Sequence, residues 1–199
     1  MKRIEISLLA AILFCSVISM CALNNECEEI RGSVLRLHVL ANSDSQADQE
    51  LKLKVRDRLL EVSRDMFSNA SSKEEAESAA KSRLSLLQKA AEEVIRSEGY
   101  GYPVRVGLEK CYFGTRTYGD VTLPAGNYHA LRVVIGEGAG HNWWCVMFPP
   151  LCISPAEGSA ELSDVLSEDQ MELVESDGYV MKFKCVEIYE ELKQYLSEK

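Results

Sequence analysis

Between Gly136 and Cys152 the chain reads Gly-Glu-Gly-Ala-Gly-His-Asn-Trp-Trp-Cys-Val-Met-Phe-Pro-Pro-Leu-Cys. This stretch holds both tryptophans, one of three histidines, a Pro-Pro pair and two of seven cysteines. Its glycines permit a sharply turned connection, its aromatics bury large apolar areas, and its prolines hold the exit extended. The apolar run from Asn142 to Phe148 reads as a strand, and so does Asn127 to Ile135 before it. Two strands joined across Gly136–Gly140 predict an antiparallel hairpin. In a regular strand Trp143 and Trp144 point to opposite faces, one toward the core and the other toward solvent or a partner.

Upstream, Leu35, Leu37, Val39 and Ala41 fall on one face of a predicted strand, with Arg36 and His38 on the other. A first helix follows, opened by Ser45 with Asp48 three residues on, its apolar stripe being Leu51, Val55, Leu59, Val62 and Met66. A second helix is expected over Ser72–Ser97, capped by Ser72 and Glu75 and stopped by Gly99. Pro103 opens a strand in which Val104, Val106 and Leu108 alternate with polar residues. The acidic segment 157–177 reads as a loop with a short helix around Leu162–Leu166. Tyr179–Lys184 is expected as an edge strand and Glu187–Leu196 as a helix. The pattern predicts an α+β fold, a single exported domain in which a helical hairpin packs on a largely antiparallel sheet.

Export is read from the N-terminus. Met1-Lys-Arg precedes a largely apolar run to Leu23, the layout of a signal peptide or a short membrane anchor over residues 1–22. Residues 23–30 read as a polar lead-in, and 31–199 as the domain. The formal net charge of −9 gives no general attraction to nucleic acid or anionic lipid, and the basic residues are scattered. Cleavage near Ala22 leaves Cys27, Cys111, Cys145, Cys152 and Cys185. In an oxidising exterior Cys145 and Cys152 are the first expected disulfide, since the intervening residues can turn back.

The chemistry-bearing residues form no coherent catalytic set. Gly136, Gly138 and Gly140 lack the lysine and Ser/Thr of a phosphate loop. His141 and Cys145 in one strand would lie about 13 Å apart, too far for proton transfer. Asp44 and Asp48 at a strand end are read as helix-capping rather than metal-binding. No metal, cofactor or catalytic residue is expected. Arg116 and Asp120 are expected to organise their loop through a charge-assisted contact or to touch a ligand. Together with His141, Trp143 and Trp144 they are the candidate partner-binding residues.

The segments Leu37-His-Val-Leu-Ala-Asn-Ser-Asp44, Gln49–Asp57, Thr115-Arg-Thr-Tyr-Gly-Asp120, Leu123-Pro-Ala-Gly126 and Leu131–Cys152 resemble the stage II sporulation protein R family. That resemblance implies a non-enzymatic signal secreted by the forespore into the space between two membranes. Its implied partner is a membrane-bound aspartic protease that processes the precursor of the mother-cell sigma-E factor. An exported cysteine hydrolase, with Cys145 or Cys152 as nucleophile, and a structural envelope protein are the alternatives.

Overall fold

Almost every residue from Val34 to Leu40 is buried, His38 alone being half-exposed, so this strand needs neighbours on both edges and cover on both faces. The computed structural model describes residues 2–67, 69–151, 160–175 and 180–197. Helix α1 (Lys2–Ser33) leads into β1 (Leu35–Leu40), followed by α2 (Gln46–Phe67), α3 (Lys73–Ser82) and α4 (Leu84–Ser97). Strands β2 (Val104–Phe113), β3 (Arg116–Tyr118), β4 (Val121–Leu123), β5 (Gly126–Ile135) and β6 (Asn142–Phe148) come next. Helices α5 (Leu162–Val165), α6 (Glu168–Glu175) and α7 (Val180–Ser197) complete the order.

The fold is α+β around a mixed four-stranded sheet in the order β2-β5-β1-β6, with β3 and β4 in a separate two-stranded ribbon. The expected hairpin between Asn127–Ile135 and Asn142–Phe148 does not form, because β1 lies between them. β1 runs parallel to β5, with Leu37 opposite Leu131, and antiparallel to β6, with Leu37 opposite Cys145. The glycine-rich connection therefore crosses the end of β1 instead of turning back. Ala139 N–H donates to Asn42 O at 3.2 Å and Gly140 N–H to Ala41 O at 3.0 Å. Two glycines are required here. Gly136 has φ +56°, and a Cβ on Gly140 would lie 2.2 Å from the Ser43 carbonyl oxygen.

One sheet face, carrying Leu37, Val39, Leu131, Val133, Cys145 and Met147, packs with α2, α3 and α4. The second helix expected over Ser72–Ser97 is divided at Arg83, which has φ −120° and ends α3 while starting α4. Ser72 caps α3 through the Glu75 N–H, and the Glu75 carboxylate accepts from Ser71 N–H at 2.9 Å.

The other face is buried as well. Phe113, Tyr128, Ala130 and Val146 meet Cys27 and Ile30 of α1, Leu162, Leu173 and Val174 of α5 and α6, and Phe183 and Val186 of α7. Residues read as a polar lead-in are thus the docked end of a continuous helix. Arg31, itself buried, donates to the Ala125 carbonyl at 2.6 Å. Within the acidic stretch the short helix expected around Leu162–Leu166 is α5, and a second helix, α6, follows it where loop was expected. Val180–Lys184, expected as strand, is helical because Phe183 and Val186 must face the same core. A spacing of three achieves that in a helix and not in a strand. Tyr179 lies outside the described residues. The N-terminal part of α1 is exposed, and Ile4–Ser33 is long and apolar enough to cross a membrane, a test a signal sequence also passes.

Candidate partner-binding groove

β6 is an edge strand, and the groove along its opening half is lined by His141, Asn142, Trp143, Trp144 and, from β3, Arg116, Thr117 and Tyr118. Its volume is about 580 Å³. Alternation along β6 sends the two indoles to opposite faces, so they flank the strand edge. Each is half-buried and capped by an arginine. The Arg116 guanidinium lies 4.2 Å from the Trp144 ring centroid and that of Arg56 4.3 Å from Trp143. Neither tryptophan is wholly core or wholly exposed.

The two arginines differ electrostatically. Arg56 is paired with Asp57 at 2.6 Å. Exposed Arg116 makes no ion pair among the described residues. The expected contact with Asp120 is absent: Asp120 sits exposed at the β3–β4 turn while Arg116 reaches back over Trp144. His141 closes one end of the groove. Its ring and backbone N–H both engage Asp44, at 2.5 Å each, and hold that carboxyl below its usual range. Lys52 supports the same end by donating to the His141 carbonyl at 2.9 Å, and burial lowers its ammonium pKa.

Behind the groove lies Arg36, the largest fully buried side chain, which pattern reading places on a polar face. Its guanidinium is 4.1 Å from the Phe113 ring centroid, 4.7 Å from Tyr128 and 5.4 Å from Tyr118. It donates to the Tyr118 hydroxyl, while its Nε and Nη1 find no hydrogen-bond partner. Beside it, His38 contacts the Phe113 and Trp144 rings and bonds Asn142 Oδ1 at 3.0 Å, with burial lowering its pKa. No local signal singles out Arg36, because alternation places it with His38 on the polar face of β1.

The residues of the alternative thiol chemistry are dispersed. His141 is committed to Asp44, His129 to Glu77 at 2.7 Å and His38 to Asn142. Cys145 is buried on the α2–α4 face, across the sheet from His38. Cys152 lies outside the described residues. Among the described residues no group of three or more His, Cys, Asp or Glu side chains is placed to hold a metal ion.

Residues 31–157, which include every strand among the described residues and the whole groove, match the family model described as stage II sporulation protein R. The chain belongs to that family. It is 40% identical over 123 residues to stage II sporulation protein R of Bacillus subtilis (strain 168), an alignment covering 62% of this chain and 55% of that protein. The chain thus spans just over half the length of the curated relative it matches. No solved structure matches it. The match leaves out residues 2–30 of α1, buried Cys27 and Ile30 included, and all of α5–α7.

Proposed function

We propose that this protein is a forespore-secreted signal that activates a membrane-bound aspartic protease, which then processes the sigma-E precursor. The supporting observation is the groove: two arginine-capped tryptophans beside an unpaired strand edge, inside the family-matched stretch. Aromatic and arginine side chains in a partly desolvated setting are the groups that dominate protein interfaces. The three histidines, each engaged away from Cys145, favour binding over thiol catalysis. Activation would follow from tighter binding to the protease's active state than to its inactive one, since a ligand shifts an equilibrium only through unequal affinity. Export would be directed by the N-terminal segment, and a Cys145–Cys152 disulfide would brace the exit of β6.

The test is reconstitution of the purified protein with the membrane protease and the sigma-E precursor. The proposal expects cleavage only when all three are present. Protease activity that is indifferent to this protein would overturn it.

A further inference from the structure

The groove offers backbone hydrogen bonds as well as side chains. β1 pairs with one edge of β6, and among the described residues no strand pairs with the other. Alternate residues of such an edge turn their N–H and C=O groups outward, a template for an added strand. The second half of β6 is closed, since Cys145 to Phe148 are buried and Leu151 N–H donates to Val146 O at 3.5 Å. Asn142 to Trp144 remain open. β3, which among the described residues pairs with β4 alone, lines the same groove.

The charged side chain that β3 turns to this space is a cation. Arg116 is stacked on Trp144 with no carboxylate of its own, in a chain of net charge −9. Tyr118 accepts a hydrogen bond from buried Arg36, so its hydroxyl proton is free to be donated onward. A buried guanidinium without a counter-ion strengthens that donation, because the hydrogen bond polarises the phenol. Arg36 Nε and Nη1 and both indole Nε1 atoms also lack hydrogen-bond partners, but they are buried behind the groove, so Arg116 and Tyr118 are the groups that meet a ligand. Asp44, at the end of the groove, is already engaged by His141. The site has donors and cationic charge in excess and lacks an anion. A carboxylate supplies acceptors only.

Resting on the activator reading above, we propose that the partner contributes an extended segment that adds as a strand to the open edge of β6 and places an acidic side chain against Arg116 and Tyr118. The strand edge supplies affinity along the backbone, and the arginine and tyrosine select the carboxylate. The two indoles wall the added strand on either side.

The chain's two tryptophans both line the groove, so their emission reports directly on occupancy. The full-length chain in mild detergent is titrated with an octapeptide of alternating Thr and Val carrying one central Glu. Controls are the same peptide with Lys for Glu and the Glu peptide N-methylated at alternate amides. The expected result is saturable binding of the Glu peptide, at least about tenfold tighter than the Lys peptide. The N-methylated peptide is expected not to bind, and amide exchange is expected to slow within Asn142–Trp144. Arg116→Glu should reverse the preference toward Lys, and Tyr118→Phe should weaken the Glu peptide alone. No saturable binding, equal affinity for Glu and Lys peptides, or unimpaired binding of the N-methylated peptide would overturn the proposal. No protease enters this experiment. A chain that binds the Glu peptide but activates no protease sinks only the activator reading, whereas a chain that activates the protease but fails the peptide test sinks only the strand-addition proposal.

Discussion

Gly140→Ala tests the passage of the β5–β6 connection over the end of β1. The added Cβ would sit 2.2 Å from Ser43 O and 2.5 Å from Ser43 C, both backbone atoms that cannot rotate aside. Relief requires moving the loop, which breaks the 3.0 Å bond from Gly140 N–H to Ala41 O. Overpacking of this kind costs about 3 kcal/mol. At about 2–4 °C per kcal/mol for a chain of this size, the melting temperature should fall by about 6–12 °C. Gly101 is the control, since nothing lies within 4 Å of its built Cβ. Gly101→Ala should melt at or slightly above the parent temperature, as expected when only unfolded-chain entropy changes. Thermal unfolding followed by circular dichroism reads both variants. A Gly140→Ala protein that melts with the parent would refute the crossover and restore a simple hairpin.

Three further outcomes are expected. A chain beginning at Asn24 should fold, whereas one beginning at Gly32 should unfold cooperatively at a lower temperature, because it loses buried Cys27 and Ile30 and the Arg31 bond to Ala125; losing the Ile30 side chain alone is worth about 1.5–3 kcal/mol. Asp48 is held below the ordinary carboxylate range first by the Ser43 hydroxyl, at 2.5 Å, and also by Asn42. Its stabilisation is therefore complete above the unfolded value near pH ~4 and is lost as the pH falls through the lowered folded value, so acid titration of stability should be shallower in Asp48→Asn. Non-reducing peptide mapping of the exported protein should recover Cys145 linked to Cys152, and two freely alkylated thiols would exclude that bond.

Local periodicity makes much of this fold legible. Leu37 and Val39 alternate, and Leu51, Val55 and Leu59 recur every four residues, because each apolar face belongs to a single element. Strand order is set by tertiary pairing, and nothing within Gly136–Gly140 announces that β1 will occupy the intervening place. The same limit applies at Phe183, whose orientation is decided by Val186 and by Ile30 across the core. Arg116, His141, Trp143 and Trp144 stand out by residue type, and the fold brings them to one groove. Arg36 does not stand out, since alternation assigns it to solvent. Only the docking of α1, α6 and α7 on that sheet face makes it a buried cation under Tyr118.

The most direct measurement of the central claim couples binding to signalling in one reconstituted system. Parent and Arg116→Glu proteins, matched in melting temperature, are titrated against the membrane protease while precursor cleavage is followed. An interface anchor of this kind is worth about 2 kcal/mol or more, so the variant should require at least about thirtyfold more protein for half-maximal processing. Processing by folded Arg116→Glu at the parent concentration would contradict the assignment of this groove as the activating surface.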